Sequence, residues 1–167
     1  MRLYLVRHSQ PEPDGPDDED DPELSKAGVK IATALGEWMV DKDEVPTRLI
    51  VSPTMRTMQT AEVIVKAIED GGMLPPEVQQ DVGIGPHMSI RGAVLRVAQD
   101  KSMVRVGIVS HHESIEHGLR VLNLDGSIHH DIFAEGEMRI VRVKRGSGKW
   151  KEHRRVPPSD LGYEDAY

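Results

Sequence analysis

The strongest constraint on the fold is the way short apolar runs alternate with longer segments whose apolar residues recur at helical spacing. Residues 48–51 form one such run, and the segment after Thr54 carries an apolar stripe that stops before Gly71 and Gly72. This pattern predicts the unit strand, turn, helix. Its repetition predicts an α/β fold with a mostly parallel sheet covered on both faces and extended by antiparallel strands near the end of the chain.

The same patterns place the individual elements. We predict strands at residues 2–6, 48–51, 77–80 (a weak edge strand), 104–109, 137–143 and 149–153, the last two joined by a hairpin turn at 145–148. We predict helices from the N-cap Ser25 to Val40, from the N-cap Thr54 to Gly71, and at residues 90–98 and 115–122. Residues 10–23 are rich in Pro and Asp and are predicted to form a loop. With no internal repeat or long linker, we expect a single domain over residues 1–167.

Charge and composition narrow the function classes. The formal charge of −7 argues against general affinity for nucleic acid or an anionic membrane surface, because both favour a basic face. The chain has no cysteine, so it has no disulfide or thiolate nucleophile, which fits a reducing compartment. The start lacks the apolar core of a signal peptide, and no segment approaches the length of a membrane span. We therefore expect a cytoplasmic protein that binds neither nucleic acid nor membrane.

Arg and His residues follow the ends of three predicted strands. Arg7 and His8 follow the first strand, Arg56 lies just after the second, and His111 follows the fourth. Taken singly, each has an ordinary explanation as a surface turn, a solvated side chain or a chance His doublet. Because the carboxyl ends of parallel strands share one edge of a sheet, however, these four side chains are expected to converge in one pocket.

Such a pocket fits a phosphoryl group. A neutral imidazole, here His8, can attack phosphorus, while fixed cations offset charge on the equatorial oxygens. Arg7 and Arg56 would hold those oxygens with fork-shaped donors, and His111 would add a further donor whose charge the sequence leaves open. Backbone N–H groups at the start of the helix after His111 offer further anion contacts. This scheme requires no metal ion and no cofactor.

The residues that carry this chemistry resemble those of a known family. The stretches involved are Leu5-Val6-Arg7-His8, Ser52-Pro53-Thr54-Met55-Arg56-Thr57 with Gln59-Thr60-Ala61, Val109-Ser110-His111, and Leu24-Ser25-Lys26-Ala27-Gly28. They are similar to the signature stretches of the histidine phosphatase superfamily, also called the phosphoglycerate mutase-like family. The resemblance covers residues 1–122 and implies a three-layer α/β/α sandwich. It also implies that His8 is the phosphorylated nucleophile and that Arg7, Arg56 and His111 complete the phosphate pocket.

The chain departs from the family pattern at two places. Ser9 stands where the family usually has glycine, so a hydroxymethyl group lies beside the nucleophile. Larger members place a Glu general acid after the second Arg, but residues 81–89 are short here and contain no Glu. Asp81 and His87 are the nearby side chains with pKa values suited to proton transfer, and both are equally consistent with exposed loop positions.

The short stretch and chain length resemble the bacterial phosphohistidine phosphatase branch. A phosphoramidate suits a site without a Glu acid, because its imidazole leaving group can already carry a proton. We therefore expect hydrolysis of protein phosphohistidine through an intermediate on His8. The alternatives are a small-molecule phosphomonoesterase acting on a sugar or nucleotide phosphate, and a noncatalytic module that binds phosphate or a phosphoprotein. The partner is accordingly a phosphorylated protein or a small phosphorylated metabolite, and the sequence leaves the oligomeric state open.

Two further polar runs have an ordinary interpretation and a functional one. The acidic run at residues 17–21 is typical of a solubilising loop, but near the pocket it would also repel polyanions such as nucleoside triphosphates. Residues 129–131, His-His-Asp, lack a partner cluster, which favours a loop over a metal site.

Overall fold

A computed structural model of the chain describes residues 1–13, 21–122, 132–144 and 149–163. Six strands form one sheet: β1 (Arg2–Arg7), β2 (Arg48–Val51), β3 (Glu77–Gln80), β4 (Arg105–Ser110), β5 (Met138–Lys144) and β6 (Lys149–Val156). The helices are α1 (Lys26–Asp41), α2 (Met55–Asp70), α3 (Arg91–Gln99) and α4 (His112–Leu122). In these ranges no helix is long and apolar enough to cross a membrane.

The strand order is β3-β2-β4-β1-β5-β6. The neighbours β3, β2, β4 and β1 pair in parallel, whereas β5 and β6 are antiparallel. The prediction of an α/β fold with a mostly parallel sheet and an antiparallel addition is therefore confirmed. The edge position predicted for residues 77–80 is also observed, and every residue of β3 is exposed.

Side chains of β1 point alternately to the two faces of the sheet, and each face has its own core. Leu3 and Leu5 pack in the cluster that contains apolar residues of α3 and α4. Tyr4 and Val6 pack in the second cluster, with apolar residues of α1 and α2. The period of two along a strand thus produces three layers, with β1 buried between both pairs of helices.

The first turn of α1 packs closely against the loop that follows β1. Ser25 is the N-cap as predicted, and its hydroxyl accepts a hydrogen bond from the backbone N–H of Gly28 at 3.0 Å. A Cβ on Gly28 would lie 2.0 Å from the carbonyl oxygen of Gln10, so only glycine fits there. This contact fixes α1 next to the residues that follow His8.

One helix start and one capping bond differ from the sequence-based expectation. Helix α4 begins at His112 rather than at residue 115, because the N–H of Ile115 already bonds the carbonyl of His111. Thr54 is the N-cap residue of α2, but its side chain makes no capping bond. Instead, Asp21 accepts the N–H of Met55 at 2.7 Å.

The predicted hairpin turn at residues 145–148 lies outside the described residues.

A buried ion-pair cluster joins the start of β5 to β6. Glu137 and Arg139 are fully buried, and their carboxylate and guanidinium are 2.7 Å apart. Glu137 also pairs with Arg155 at 2.7 Å and accepts the backbone N–H of Ala134 at 2.8 Å. The Arg139 guanidinium lies 3.9 Å from the ring centroid of Phe133. The cluster therefore orders the backbone just before β5.

We predict that Glu137→Ala lowers the free energy of unfolding by about 3–5 kcal/mol, because it removes the nearer of two carboxylates from the buried Arg139 guanidinium and leaves Glu152, at 3.7 Å. Urea unfolding followed by circular dichroism measures the loss. The control Asp70→Asn removes the exposed Lys66–Asp70 pair and should leave stability essentially unchanged. Equal stability of Glu137→Ala and the unsubstituted protein would contradict the prediction.

Candidate active site

The carboxyl edge of the parallel strands holds a cavity of about 260 Å³. Arg7 is the last residue of β1 and His8 follows it, Arg56 lies in the first turn of α2, and His111 lies between β4 and α4. The structure brings these four predicted side chains together. The cavity is lined by Arg7, His8, Arg56, Pro86, His87, His111, His112 and Glu113.

His8 is oriented for attack by a hydrogen bond on the far side of its ring. Its Nδ1 lies 2.9 Å from the carbonyl oxygen of Ser9, and since a carbonyl only accepts, Nδ1 carries the hydrogen. Nε2 then keeps its lone pair. Burial is the main cause that lowers the pKa of His8 to about 3. The hydrogen bond to Ser9 raises this pKa, whereas the nearby charges of Arg7 and Arg56 lower it further. The ring is neutral at physiological pH, as a nucleophile requires.

The Ser9 side chain takes part in packing. Its hydroxyl donates to the carbonyl of Gly28 at 2.7 Å, and its backbone N–H donates to the hydroxyl of Thr60 at 2.9 Å. Ser9 is fully buried and is not among the residues that line the cavity. The hydroxymethyl group therefore ties the nucleophile loop to α1 and leaves the approach to His8 clear.

His111 is a neutral hydrogen-bond donor on the wall of the pocket. Its Nε2 is 3.0 Å from the hydroxyl of Ser52, and its Nδ1 is 3.5 Å from a guanidinium nitrogen of Arg56. Because arginine only donates, Nδ1 accepts and Nε2–H donates to Ser52. Burial, followed by the charge of Arg56, lowers the pKa of His111 to about 4. Its ring centroid is 5.4 Å from that of His8.

Both arginines are held by acceptors that the sequence did not indicate. Arg7 donates to the carbonyl of Phe133 at 2.6 Å and to the carboxylate of Glu135 at 3.2 Å. Arg56 pairs with Asp21 at 3.4 Å. Asp21 is the last residue of the acidic run, and residues 17–20 of that run lie outside the described part of the chain. Fixed in this way, the two guanidinium groups would lose little conformational freedom on binding an anion.

The two candidate acids have different positions. Asp81 is the N-cap of a short 3₁₀ turn, where it accepts the N–H of Gly83 at 2.8 Å and pairs with Arg96. It is not among the residues that line the cavity. His87 lines the cavity, and its Nδ1 is 2.9 Å from a carboxylate oxygen of Glu113. The structure thus brings His87 to the pocket and leaves Asp81 elsewhere.

In the part of the chain that the structure describes, no three or more His, Cys, Asp or Glu side chains lie close enough together to hold a metal ion. The His-His-Asp run at residues 129–131 lies outside that part.

Solved structures share the fold over almost the whole chain. A SixA protein of Agrobacterium tumefaciens, described as a candidate phosphohistidine phosphatase, matches with a TM-score of 0.78 at 18% identity, over 95% of this chain and 98% of that one. The protein histidine phosphatase SixA complexed with tungstate matches with a TM-score of 0.79 at 20% identity, over 96% and 99%. A phosphoserine phosphatase mutant from Entamoeba histolytica, in complex with phosphoserine, matches with a TM-score of 0.67 at 15% identity, over 96% and 98%. At these identities the similarity establishes the fold.

The sequence itself matches one family model over part of its length. None of the curated proteins matches it significantly. Residues 3–82 match the model of the histidine phosphatase superfamily (branch 1), and this range contains Arg7, His8 and Arg56. Residues 3–82 therefore carry the sequence pattern of the histidine phosphatase superfamily, whose members are phosphatases, a class of hydrolases.

Proposed function

We propose that the protein removes the phosphoryl group from phosphohistidine in proteins, through a covalent intermediate on His8. The observation that carries this proposal is the neutral imidazole of His8, whose Nε2 lone pair stands in a pocket with the guanidinium groups of Arg7 and Arg56. A nucleophile and an anion site in one small cavity are the two requirements of phosphoryl transfer through histidine.

In the first step, His8 Nε2 attacks phosphorus, so a P–N bond forms as the bond from phosphorus to the leaving group breaks. Arg7 and Arg56 donate hydrogen bonds to the equatorial oxygens, where negative charge concentrates. The phosphorylated ring becomes cationic, and its Nδ1–H donates to the carbonyl of Ser9, which stabilises that charge. In the second step, water attacks phosphorus and gives up a proton to a neighbouring base or to solvent, the P–N bond breaks, and neutral His8 returns.

Two observations favour phosphohistidine as the substrate. The cavity is small, about 260 Å³, and opens at exposed side chains such as His87, so it fits a phosphoryl group presented on another protein's surface. The imidazole of the substrate can leave as a protonated ring, which reduces the need for a strong acid in the enzyme. The similarity to SixA proteins described as phosphohistidine phosphatases supports the same substrate class.

A small-molecule phosphomonoesterase is the second candidate function. The pair of His87 and Glu113 at the cavity favours it, because an alkoxide leaving group needs a proton donor. The similarity to a phosphoserine phosphatase points the same way. The match of residues 3–82 to a superfamily of phosphatases opposes the third alternative, a noncatalytic binding module.

We predict that His8→Ala abolishes turnover of an aryl phosphate, because it removes the phosphoryl acceptor. His111→Ala should leave an enzyme slower by about 10²-fold, because the variant loses the ring nitrogen that accepts from Arg56 and helps to hold its guanidinium in the pocket. Acid-labile phosphate trapped on His8 in the unsubstituted protein identifies the intermediate. The exposed His117 of α4 provides the control, since His117→Ala should keep full activity. Full activity of His8→Ala would refute the proposal.

We predict that vanadate and inorganic phosphate inhibit competitively and that EDTA has no effect, because arginine and histidine side chains supply the positive charge of the pocket. Steady-state inhibition kinetics with an aryl phosphate test this. Inactivation by EDTA that a divalent metal reverses would count against it.

We predict that the His8 ring stays neutral down to about pH 4, because its pKa is lowered to about 3. A His8 ring that is unfolded titrates near the ordinary value of about 6.5, so the unfolded state binds more protons between these two values. The contribution of His8 to stability therefore rises as the pH increases from about 3 to about 6.5. Nitrogen-15 NMR of the ring, compared with His8→Ala for assignment, measures the titration. A midpoint near 6.5 in the folded protein would contradict the prediction.

A further inference from the structure

A second pair of ionisable side chains faces the pocket and is unused by the transfer to His8. His87 follows the short 3₁₀ turn after β3, and Glu113 is the second residue of α4. His87 Nδ1 and a carboxylate oxygen of Glu113 are 2.9 Å apart, and both residues line the same cavity as His8. Whereas His8 is 7% exposed, the His87 side chain is 84% exposed, which places it at the open rim.

The loop that carries His87 is anchored to the segment that carries His111. The hydroxyl of Ser110, one residue before His111, donates to the carbonyl of Ile84 at 2.8 Å. The hydroxyl of Ser114, on the first turn of α4, donates to the carbonyl of Gly85 at 2.8 Å. Both bonds are buried. The distance between His87 and the floor of the pocket is therefore fixed by the sheet and α4.

The backbone of His87 lies in the left-handed region, with φ at +60°. Glycine would take this conformation at lower cost than a residue with a Cβ. A side chain in such a strained position, at the rim of a site, is a common sign of a functional role. From this position the Nδ1 of His87 contacts Glu113, and the residue lines the cavity.

We propose that His87 is the acid and base that serves the leaving group, and that Glu113 is the residue that positions it. The inference rests on the proposed phosphoryl transfer to His8. Glu113 accepts the hydrogen of Nδ1, which leaves Nε2 as the ring nitrogen that exchanges a proton with the leaving atom. The phosphoryl oxygens are held by Arg7 and Arg56 deeper in the pocket, so the leaving group extends to the rim, where His87 stands.

His87 donates a proton in the first step of the reaction and takes one back in the second. With an alkyl phosphate, the P–N bond to His8 forms while the P–O bond breaks, and the proton on His87 Nε2 passes to the departing oxygen to give an alcohol. In hydrolysis, His87 Nε2 takes a proton from the attacking water as the new P–O bond forms and the bond from phosphorus to His8 breaks. Both side chains then return to their starting states. The pair thus extends the substrate range from phosphohistidine to alkyl phosphates such as phosphoserine.

The test compares leaving groups. Values of kcat/KM are measured for a series of aryl phosphates and for a phosphoserine peptide, and their logarithms are plotted against the pKa of the leaving group. We expect His87→Asn to reduce phosphoserine hydrolysis by about 10²-fold or more and p-nitrophenyl phosphate hydrolysis by less than about 3-fold, because general acid catalysis matters only for a basic leaving group. The plot of log kcat/KM against leaving-group pKa should therefore have a steeper slope for His87→Asn than for the unsubstituted protein.

The role of Glu113 is tested with a double-variant cycle. Glu113→Ala should also steepen the plot, and the combination with His87→Asn should be no slower than His87→Asn alone, because Glu113 acts through His87. Glu113→Gln keeps an acceptor for Nδ1–H and should recover part of the loss. The matched control is the exposed Glu62 of α2, whose Gln variant should behave like the unsubstituted protein.

Several results would overturn the inference. An unchanged slope in His87→Asn, an equal loss on aryl and alkyl substrates, or an alkyl-selective loss in Asp81→Asn would each do so. If the unsubstituted protein hydrolyses aryl phosphates through His8 but not phosphoserine, the role of His87 fails while the proposed function stands. If it hydrolyses neither and traps no phosphate on His8, both fail.

Discussion

The parallel pairing of β1 with β4 is the constraint on which the active site depends. The register aligns Arg7 with Ser110, so the chain leaves both strands at the same height and places His8 beside His111. β4 also pairs in parallel with β2, which brings Ser52 within reach of the His111 ring. A shift of one residue in either register would move every side chain of the strand to the opposite face of the sheet. Because both faces are packed in a core, such a shift would disrupt both cores.

The rigidity of the pocket comes from parts of the chain remote from the parallel strands. Arg7 donates to the carbonyl of Phe133, and the Phe133 ring packs against the buried guanidinium of Arg139. Arg139 is in turn neutralised by Glu137. A chain of contacts therefore connects an ion pair in the antiparallel part of the sheet to the Arg7 guanidinium in the pocket. Under the proposed function, the same residues would serve both stability and catalysis.

The parts of the structure that follow from local patterns could be predicted from the sequence. Strands with apolar runs, the Ser25 cap and the end of α2 at Gly71 are set by residues close together in the chain. The strand-end positions of Arg7 and His111 follow from topology alone.

Contacts between distant segments were not predictable in the same way. Glu135 and Glu113 carry no local signal, since a glutamate in a loop or on a helix surface is ordinarily solvated, and only tertiary packing brings them to Arg7 and His87. Asp81 shows the opposite case. It lies close to His87 in sequence, but its side chain closes a turn and pairs with Arg96.

The carboxylates beside the two arginines have a consequence for how a substrate arrives. Arg7 pairs with Glu135 and Arg56 pairs with Asp21, so the two carboxylates largely offset the positive charge of the two guanidinium groups. A ligand one Debye length away from the pocket therefore experiences little net positive charge from it. The chain as a whole carries a formal charge of −7. At long range a phosphorylated ligand therefore meets a net negative chain, and its binding depends on direct contact with the guanidinium groups. We expect added salt to screen this repulsion and to speed association, which is the opposite of the salt dependence of proteins that steer anions from afar.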